Sequence, residues 1–221
     1  TTVYDCLSHD FVYHDLSKMM IFPGNHDTDR IGDVVRQNPD RMKIVMTMMA
    51  TMRGFPQIFA GDEMMFVSKD KSQGHGGLRV DFPGGWNGDK ENWFTEEGRK
   101  AALTGTDGKP VPAGQVAELH DFTRKLFQWR KGKSVIHDGK TLHFLSRDNT
   151  YAYFRYNADE AVFVFINNSR GRKSIPWSHY AEIAEGLHDG KNVLTGEAVE
   201  VNDSTVVGPR KALVVEYKRK K

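Results

Sequence analysis

The feature that most limits what this chain can fold into is an apolar run, a strongly apolar helix and a second apolar run in close succession. Met19-Met20-Ile21-Phe22 is short and bounded by Pro23-Gly24, which reads as a buried strand. Asn38-Pro39 then supplies a helix start: Asn accepts from free backbone N–H groups, and Pro at the first helical position loses no hydrogen bond. The helix is expected to run from Pro39 to about Arg53 and to stop at Gly54. Met42, Ile44, Val45, Met46, Met48, Met49 and Met52 leave it almost no polar face, so it should be buried on more than one side. Such a methionine stripe also suits an adaptable binding groove, but core filling is its commoner use. Pro56 to Ala60 supplies the second strand. Strands joined by a helical crossover of this length lie parallel, with a right-handed connection.

Each strand runs into a polar cluster, as at the carboxyl ends of barrel strands, where α/β proteins tend to place their chemistry. The first is Asn25-His26-Asp27-Thr28-Asp29-Arg30, the second Gly61-Asp62-Glu63. A solvated Asx turn is enough to account for a lone His-Asp pair. On spacing alone, both carboxylates of the second cluster are also eligible for catalysis.

Asn25 to Arg30 resembles the fourth conserved region of the α-amylase superfamily of glycoside hydrolases, an Asn-His-Asp closing the seventh barrel strand with Arg three residues on. Gly54-Phe55-Pro56-Gln57-Ile58-Phe59-Ala60-Gly61-Asp62-Glu63 resembles that family's eighth strand, Gly-x-Pro-x-x-(aromatic)-x-Gly-Asp-Glu. The two come in order, about one barrel repeat apart. The resemblance continues through Leu78-Arg79-Val80-Asp81-Phe82-Pro83-Gly84-Gly85-Trp86 and the β-rich tail, and is closest to bacterial neopullulanase and related periplasmic amylases. Two positions depart from the family pattern: an aliphatic residue and Asp usually precede Asn-His-Asp, where this chain has Pro23 and Gly24.

What the resemblance implies is the C-terminal part of a (β/α)8 TIM barrel followed by an antiparallel β-sandwich, hence α/β plus all-β. Retaining cleavage of a glycosidic bond needs a nucleophilic carboxylate and a protonated acid about 5–5.5 Å apart. By resemblance those two lie upstream of residue 1, so this chain alone is expected to be inactive. Asp27 matches the family's third acidic residue, which accepts hydrogen bonds from the sugar and stabilises the transition state. His26 matches a donor to the same sugar, Asn25 fixes the turn, and Arg30 orients Asp27 or contacts sugar further along. Asp62 and Glu63 would shape the site wall. The implied reaction is hydrolysis of α-1,4-glucosidic bonds in starch, maltooligosaccharides or pullulan. A non-catalytic carbohydrate-binding or accessory protein of the superfamily, or a glucosyltransferase, is the alternative. The resemblance also implies a periplasmic or secreted parent, an α-glucan oligosaccharide as partner, and leaves calcium open for the intact enzyme. No cofactor is expected in this segment, whose acidic residues lack the spacing of a calcium loop.

Residues 67 to 112 are polar and rich in Gly, with Trp86 and Trp93, and Thr95-Glu96-Glu97 caps a short helix through about Leu103. A long irregular segment usually has a job. Sugar contact suits it, because aromatic rings stack on glucose faces while Arg79 and neighbouring polar groups bond hydroxyls. The plainer role for the Trp residues is to pin the loop. Gly77-Leu78-Arg79-Val80-Asp81 matches the Gly-x-Arg-x-Asp pattern that carries the family's nucleophile, but the preceding Ser68 to Gly76 is not a strand and the segment follows the eighth-strand motif. Asp81 is therefore set aside as nucleophile.

Val116, Leu119, Phe122, Leu126, Phe127 and Trp129 give Gln115 to Gly132 an amphipathic helical face. Composition then changes. Thr141–Ser146, Tyr151–Tyr156, Ala161–Ile166, Asn192–Leu194, Val199–Val201, Thr205–Val207 and Ala212–Tyr217 are short apolar runs between turn residues, as in an antiparallel sandwich. The boundary falls at Gly132 to Gly139, dividing the chain into 1–132, barrel, and 133–221, sandwich.

Charge excludes some classes of function. Lys plus Arg number 31 against 29 Asp plus Glu, so no global field recruits nucleic acid. No apolar stretch reaches the length of a membrane span. Cys6, the single cysteine, cannot form an internal disulfide. Tyr4, Leu7, Phe11, Val12 and Leu16 are expected to pack the first segment, with His9, Asp10 and His14 on the surface. Two barrel strands alone leave unpaired edges, so self-association is expected.

Overall fold

The computed structural model describes residues 2–68, 70–82, 84, 86, 88 and 112–220. Trp93 and the helix expected from Thr95 to Leu103 lie outside the described residues. The chain forms two compact units: Thr1–Ile21 with Thr47–Pro56 and Lys125–Lys221, and Phe22–Met46 with Gln57–Arg124. This division by contact differs from the linear boundary at residue 132. Hydrogen bonds tie residues 47–56 to the later chain: Thr51 to the Tyr153 hydroxyl, and Ala50, Met52 and Gly54 to Arg130.

In the first unit, α1 (Thr2–Ser8) leads through short 3-10 turns to β1 (Met20–Ile21). Leu7 is buried, but Phe11 and Val12 are 81% and 59% exposed, contrary to the packing role read for them. Asp10 is not a bare surface residue, since its carboxylate pairs with the Arg53 guanidinium. β1 pairs in parallel with β2 (Phe55–Pro56), Met20 opposite Phe55. This ladder starts earlier and is shorter than the expected Pro56 to Ala60. Phe55 N–H donates to Met19 O at 2.9 Å, and Gly54 beside it has φ +84° with the Met19 carbonyl 2.1 Å from where a Cβ would sit. Only glycine permits that approach, so the chain enters the ladder directly from the helix end.

The crossover helix α3 spans Pro39–Thr51. Asn38 Oδ1 accepts from Arg41 N–H at 3.0 Å, as the capping argument requires. The helix stops two residues short of Arg53. Its end is closed by Arg130, from α4 (Ala113–Lys131), whose guanidinium donates to the carbonyls of Ala50, Met52 and Gly54 at 2.9, 3.2 and 2.6 Å. A cation there satisfies orphan acceptors and complements the helix dipole. Met42, Met46 and Ala50 are fully buried, with Ile44, Met49 and Met52 at 8%, so α3 is enclosed on several sides.

The all-β part is a five-stranded antiparallel sheet of order β3-β4-β5-β9-β7: Lys140–His143, Thr150–Tyr156, Glu160–Asn167, Lys211–Arg219 and Leu187–Asn192. A two-stranded piece, β6 (Lys173–Ser174) with β8 (Val206–Val207), brings Ile175 and Val207 into the same core as Phe154, Phe163, Phe165 and Tyr217. The short helix α5 (Ser134–His137), with Val135 and Ile136 fully buried, packs on β4 and β5. The sheet's central strands are thus buried on both faces, which is why Ala161 to Ile166 is continuously apolar. The strand expected at Asn192 to Leu194 lies earlier, at Leu187–Asn192, and in place of a strand at Val199 to Val201 there is a bridge from Lys191 to Ala198 beside a Val199 N–H to Gly190 O bond of 2.9 Å. The last helix, α6 (Ala181–Ala184), follows the Trp177–Tyr180 turn.

The second unit packs Ile31, Val35, Met42, Met46, Met64, Met65, Phe66, Val116 and Leu119 into one core. Ile31 opens α2 (Ile31–Val34), and Lys71–Leu78 is a 3-10 segment kinked at Gly74. Among the described residues no strand directly precedes Arg79.

Candidate active site

The second unit holds both polar clusters, and Arg30 joins them. Its side chain is 1% exposed and its donors are directed at protein: Nε to Leu78 O at 2.9 Å, and Nη1 to Ala60 O at 2.8 Å and Asp62 Oδ1 at 3.1 Å. The guanidinium also lies 3.9 Å from the Phe59 ring centroid and 5.5 Å from that of Phe66, a cation held over aromatic faces. Asp62 is 0% exposed. Arg30, read as orienting Asp27 or contacting sugar, and Asp62, read as part of the site wall, both face inward and are taken up by each other and by the surrounding carbonyls. They tie the two polar clusters together inside this unit.

Burial pushes the Asp62 carboxyl up to about 7; the Arg30 charge opposes this and nearby Glu63 adds to it. The second oxygen, Oδ2, has no hydrogen-bond partner among the described residues, so the ion pair offsets only part of the cost of burying the charge. Burial also lowers Arg30, which remains charged.

Asn25, His26 and Asp27 form a tight polar turn. Asn25 Oδ1 accepts from Asp27 N–H at 2.9 Å, and Asn25 N–H donates to Thr28 Oγ1 at 2.9 Å. Preceding them, Gly24 is buried, and a side chain there would start 3.1 Å from Asp29 O and 3.2 Å from Thr28 Oγ1. That crowding gives glycine a local role where the family pattern has Asp.

The turn presents Asp27 with its side chain 56% exposed among three basic groups. Arg79 Nη2 donates to Oδ1 at 3.2 Å, His26 Nε2 lies 3.2 Å from Oδ2, and His75 Nδ1 lies 3.8 Å from Oδ1. Arg79 Nη2 also approaches the His26 carbonyl at 3.5 Å. An accessible carboxylate held this way is oriented, yet keeps lone pairs for a ligand's hydroxyl groups. His75 was not singled out in the sequence, where it is one polar residue in a polar run. Its proximity arises from the Lys71–Leu78 3-10 segment.

Glu63 is half-buried and turned back on its own loop, where Oε2 accepts from Gly61 N–H at 3.0 Å. Gly61 has φ +96°, and a Cβ there would meet the Phe66 ring at 2.1 Å. This close turn delivers Asp62 inward and Glu63 toward the surface. Trp86 is 77% exposed. Among the described residues, no group of three or more His, Cys, Asp or Glu is placed to hold a metal ion, and no helix is long and apolar enough to cross a membrane.

Comparison with known proteins is consistent along the chain. Residues 6–174 match the family "Alpha amylase, catalytic domain", and residues 141–216 match "Cyclo-malto-dextrinase C-terminal domain". The maltogenic alpha-amylase of Bacillus acidopullulyticus is 25% identical over 159 residues, covering 70% of this chain and 22% of that protein. An alpha-amylase from Geobacillus thermoleovorans, solved with acarbose, superposes with a TM-score of 0.68 at 17% identity, over 99% of this chain and 43% of its own. AmyP in complex with maltose gives 0.67 at 15% identity, over 97% and 44%. The trehalose-6-phosphate hydrolase of Bacillus licheniformis gives 0.60 at 22%, over 90% and 43%. The chain thus spans about a fifth of the curated relative and under half of these solved chains.

Proposed function

Because this chain belongs to the α-amylase family, matched over residues 6–174, we propose that it is the C-terminal portion of a retaining α-glucan hydrolase that cleaves α-1,4-glucosidic bonds. In this reading residues 1–132 contribute the last strands and helices of the catalytic barrel, and residues 133–221 form the β domain that follows it in sequence. The nucleophile and general acid belong to the remainder of the enzyme, and the chain by itself does not hydrolyse starch. The observation that carries the reading is the presentation of Asp27: an exposed carboxylate fixed by Asn25 and held by His26 and Arg79.

That geometry supports a role as transition-state stabiliser. As the glycosidic bond breaks, positive charge develops on the sugar ring, and hydrogen bonds to the ring hydroxyls strengthen. A carboxylate already oriented by Arg79 and by its own turn accepts those bonds without rearranging, so its contribution is larger in the transition state than in the bound substrate. Arg79 and His26 keep Asp27 aimed, and Glu63 and Trp86 contribute to the surrounding wall.

In the intact enzyme, Asp27→Asn is expected to lower kcat by several orders of magnitude while maltooligosaccharide binding persists, since an amide still bonds hydroxyls. Steady-state kinetics and calorimetric binding measure the two separately. Activity within a few-fold of the parent would remove Asp27 from the reaction.

A further inference from the structure

The β domain carries a pocket of about 370 Å³ between the β3–β4 turn, β6 and the Trp177–Tyr180 turn. It shares no residue with the candidate active site, and its size falls within the roughly 300–1,000 Å³ of small-molecule sites. Phe144, Phe165 and Tyr180 give it an aromatic lining. Phe144 and Tyr180 meet edge to face with centroids 4.7 Å apart, and Tyr180 is 5% exposed, so this lining is packed in place.

Arg147, Asp148 and Lys173 line the same pocket. The hairpin carrying the first two is short and closed. Arg147 N–H donates to Thr150 O at 3.2 Å, and Thr150 donates to Arg147 O through both N–H and Oγ1 at 2.7 Å. Asp148 and Asn149 between them have φ 49° and 59°, the left-handed pair of a two-residue hairpin turn. Among the described residues the side chains of Arg147, Asp148 and Lys173 make no ion pair, so a fork of donors, a carboxylate and an ammonium group remain for what enters.

We propose that this pocket is a second glucan-binding site, taking one end of a maltooligosaccharide. A sugar presents an apolar C–H face for an aromatic lining and adjacent hydroxyls for planar charged groups, and the pocket offers both. A simple anion gains nothing from the aromatic rings and is opposed by Asp148. The proposal rests on the reading that the parent enzyme acts on α-glucans.

The test is an NMR titration of the full chain with maltotriose, in which both sites are read at once. Saturable shifts of the Thr150, Lys173 and Ser174 amides are expected. The double variant Arg147→Ala with Lys173→Ala should weaken that binding about tenfold, as for loss of hydrogen bonds from charged groups, with the Phe154 and Val164 signals unmoved as a check on folding. Shifts at Asn25 to Asp27 with none in the pocket remove the second site and leave the proposed reaction standing. Shifts in the pocket alone support the second site and count against the active-site reading. Silence at both sites overturns both. A pocket that responds to inorganic phosphate and not to maltotriose is an anion site, and the proposal fails.

Discussion

At Asp62 the chain buries a carboxylate with a protein partner for one oxygen and, among the described residues, none for the other. Its folded-state pKa is raised to about 7, so between the ordinary carboxylate range and 7 the folded state holds a proton that the unfolded state has released. The contribution of Asp62 to stability is therefore fully present below the unfolded pKa and declines as pH rises through about 7. Urea unfolding at pH 5 and pH 8 should show Asp62→Asn gaining relative to the parent at the higher pH; equal differences at both would refute the shift. Arg30→Met, which leaves Asp62 and two carbonyls without their donor, should cost about 3–5 kcal/mol at neutral pH in the same assay. Motif spacing in the sequence placed Arg30 and Asp62 at the site but could not reveal that they face inward. A charged residue is exposed unless a partner awaits it, and here that partner is 32 positions away in the chain. The polar turn at Asp27 was legible because its neighbours in sequence, Asn25 and His26, are also its neighbours in space.

The two ends of α3 show how far local sequence reaches. Asn38-Pro39 announces the amino end, and the cap forms as local chemistry dictates. The carboxyl end depends on Arg130, 76 to 80 residues away, which no local signal could supply. Asn38→Ala should cost about 1 kcal/mol. Arg130→Met should cost more, about 2–4 kcal/mol, because it strips three carbonyls of their guanidinium donor. Denaturant unfolding compares the two, and equal costs would mean that the guanidinium is replaceable by solvent. The β domain divides in the same way. Its apolar strands were legible from Tyr151 to Ile166 and at Ala212 to Tyr217, whereas Leu187–Asn192 was displaced by five residues in the reading. That strand is polar and broken by a register shift between His188 and Lys191, so pairing with β9 defines it and composition does not.

For the molecule as a whole, the family motifs announced the fold class, but not the joining of residues 47–56 to 125–221 in one compact unit. Among the described residues β1 and β2 pair only with each other, and Met20 and Phe55 on them are 46% and 50% exposed. Such edges recruit further strands. The isolated chain is expected to self-associate, with a sedimentation coefficient that rises with concentration and falls back in a Met20→Thr, Phe55→Thr variant; a concentration-independent monomer would contradict this. The sheet order has a different consequence, one of timing. β9 lies between β5 and β7, although it is the last of the strands in sequence. A ribosome delivers β3, β4 and β5 as a neighbouring set and then β7, with no bridge between them until Arg219 has left the tunnel. Closure of this sheet therefore waits for β9, and a chain that stalls before β9 presents two open strand edges to the chaperones that meet it.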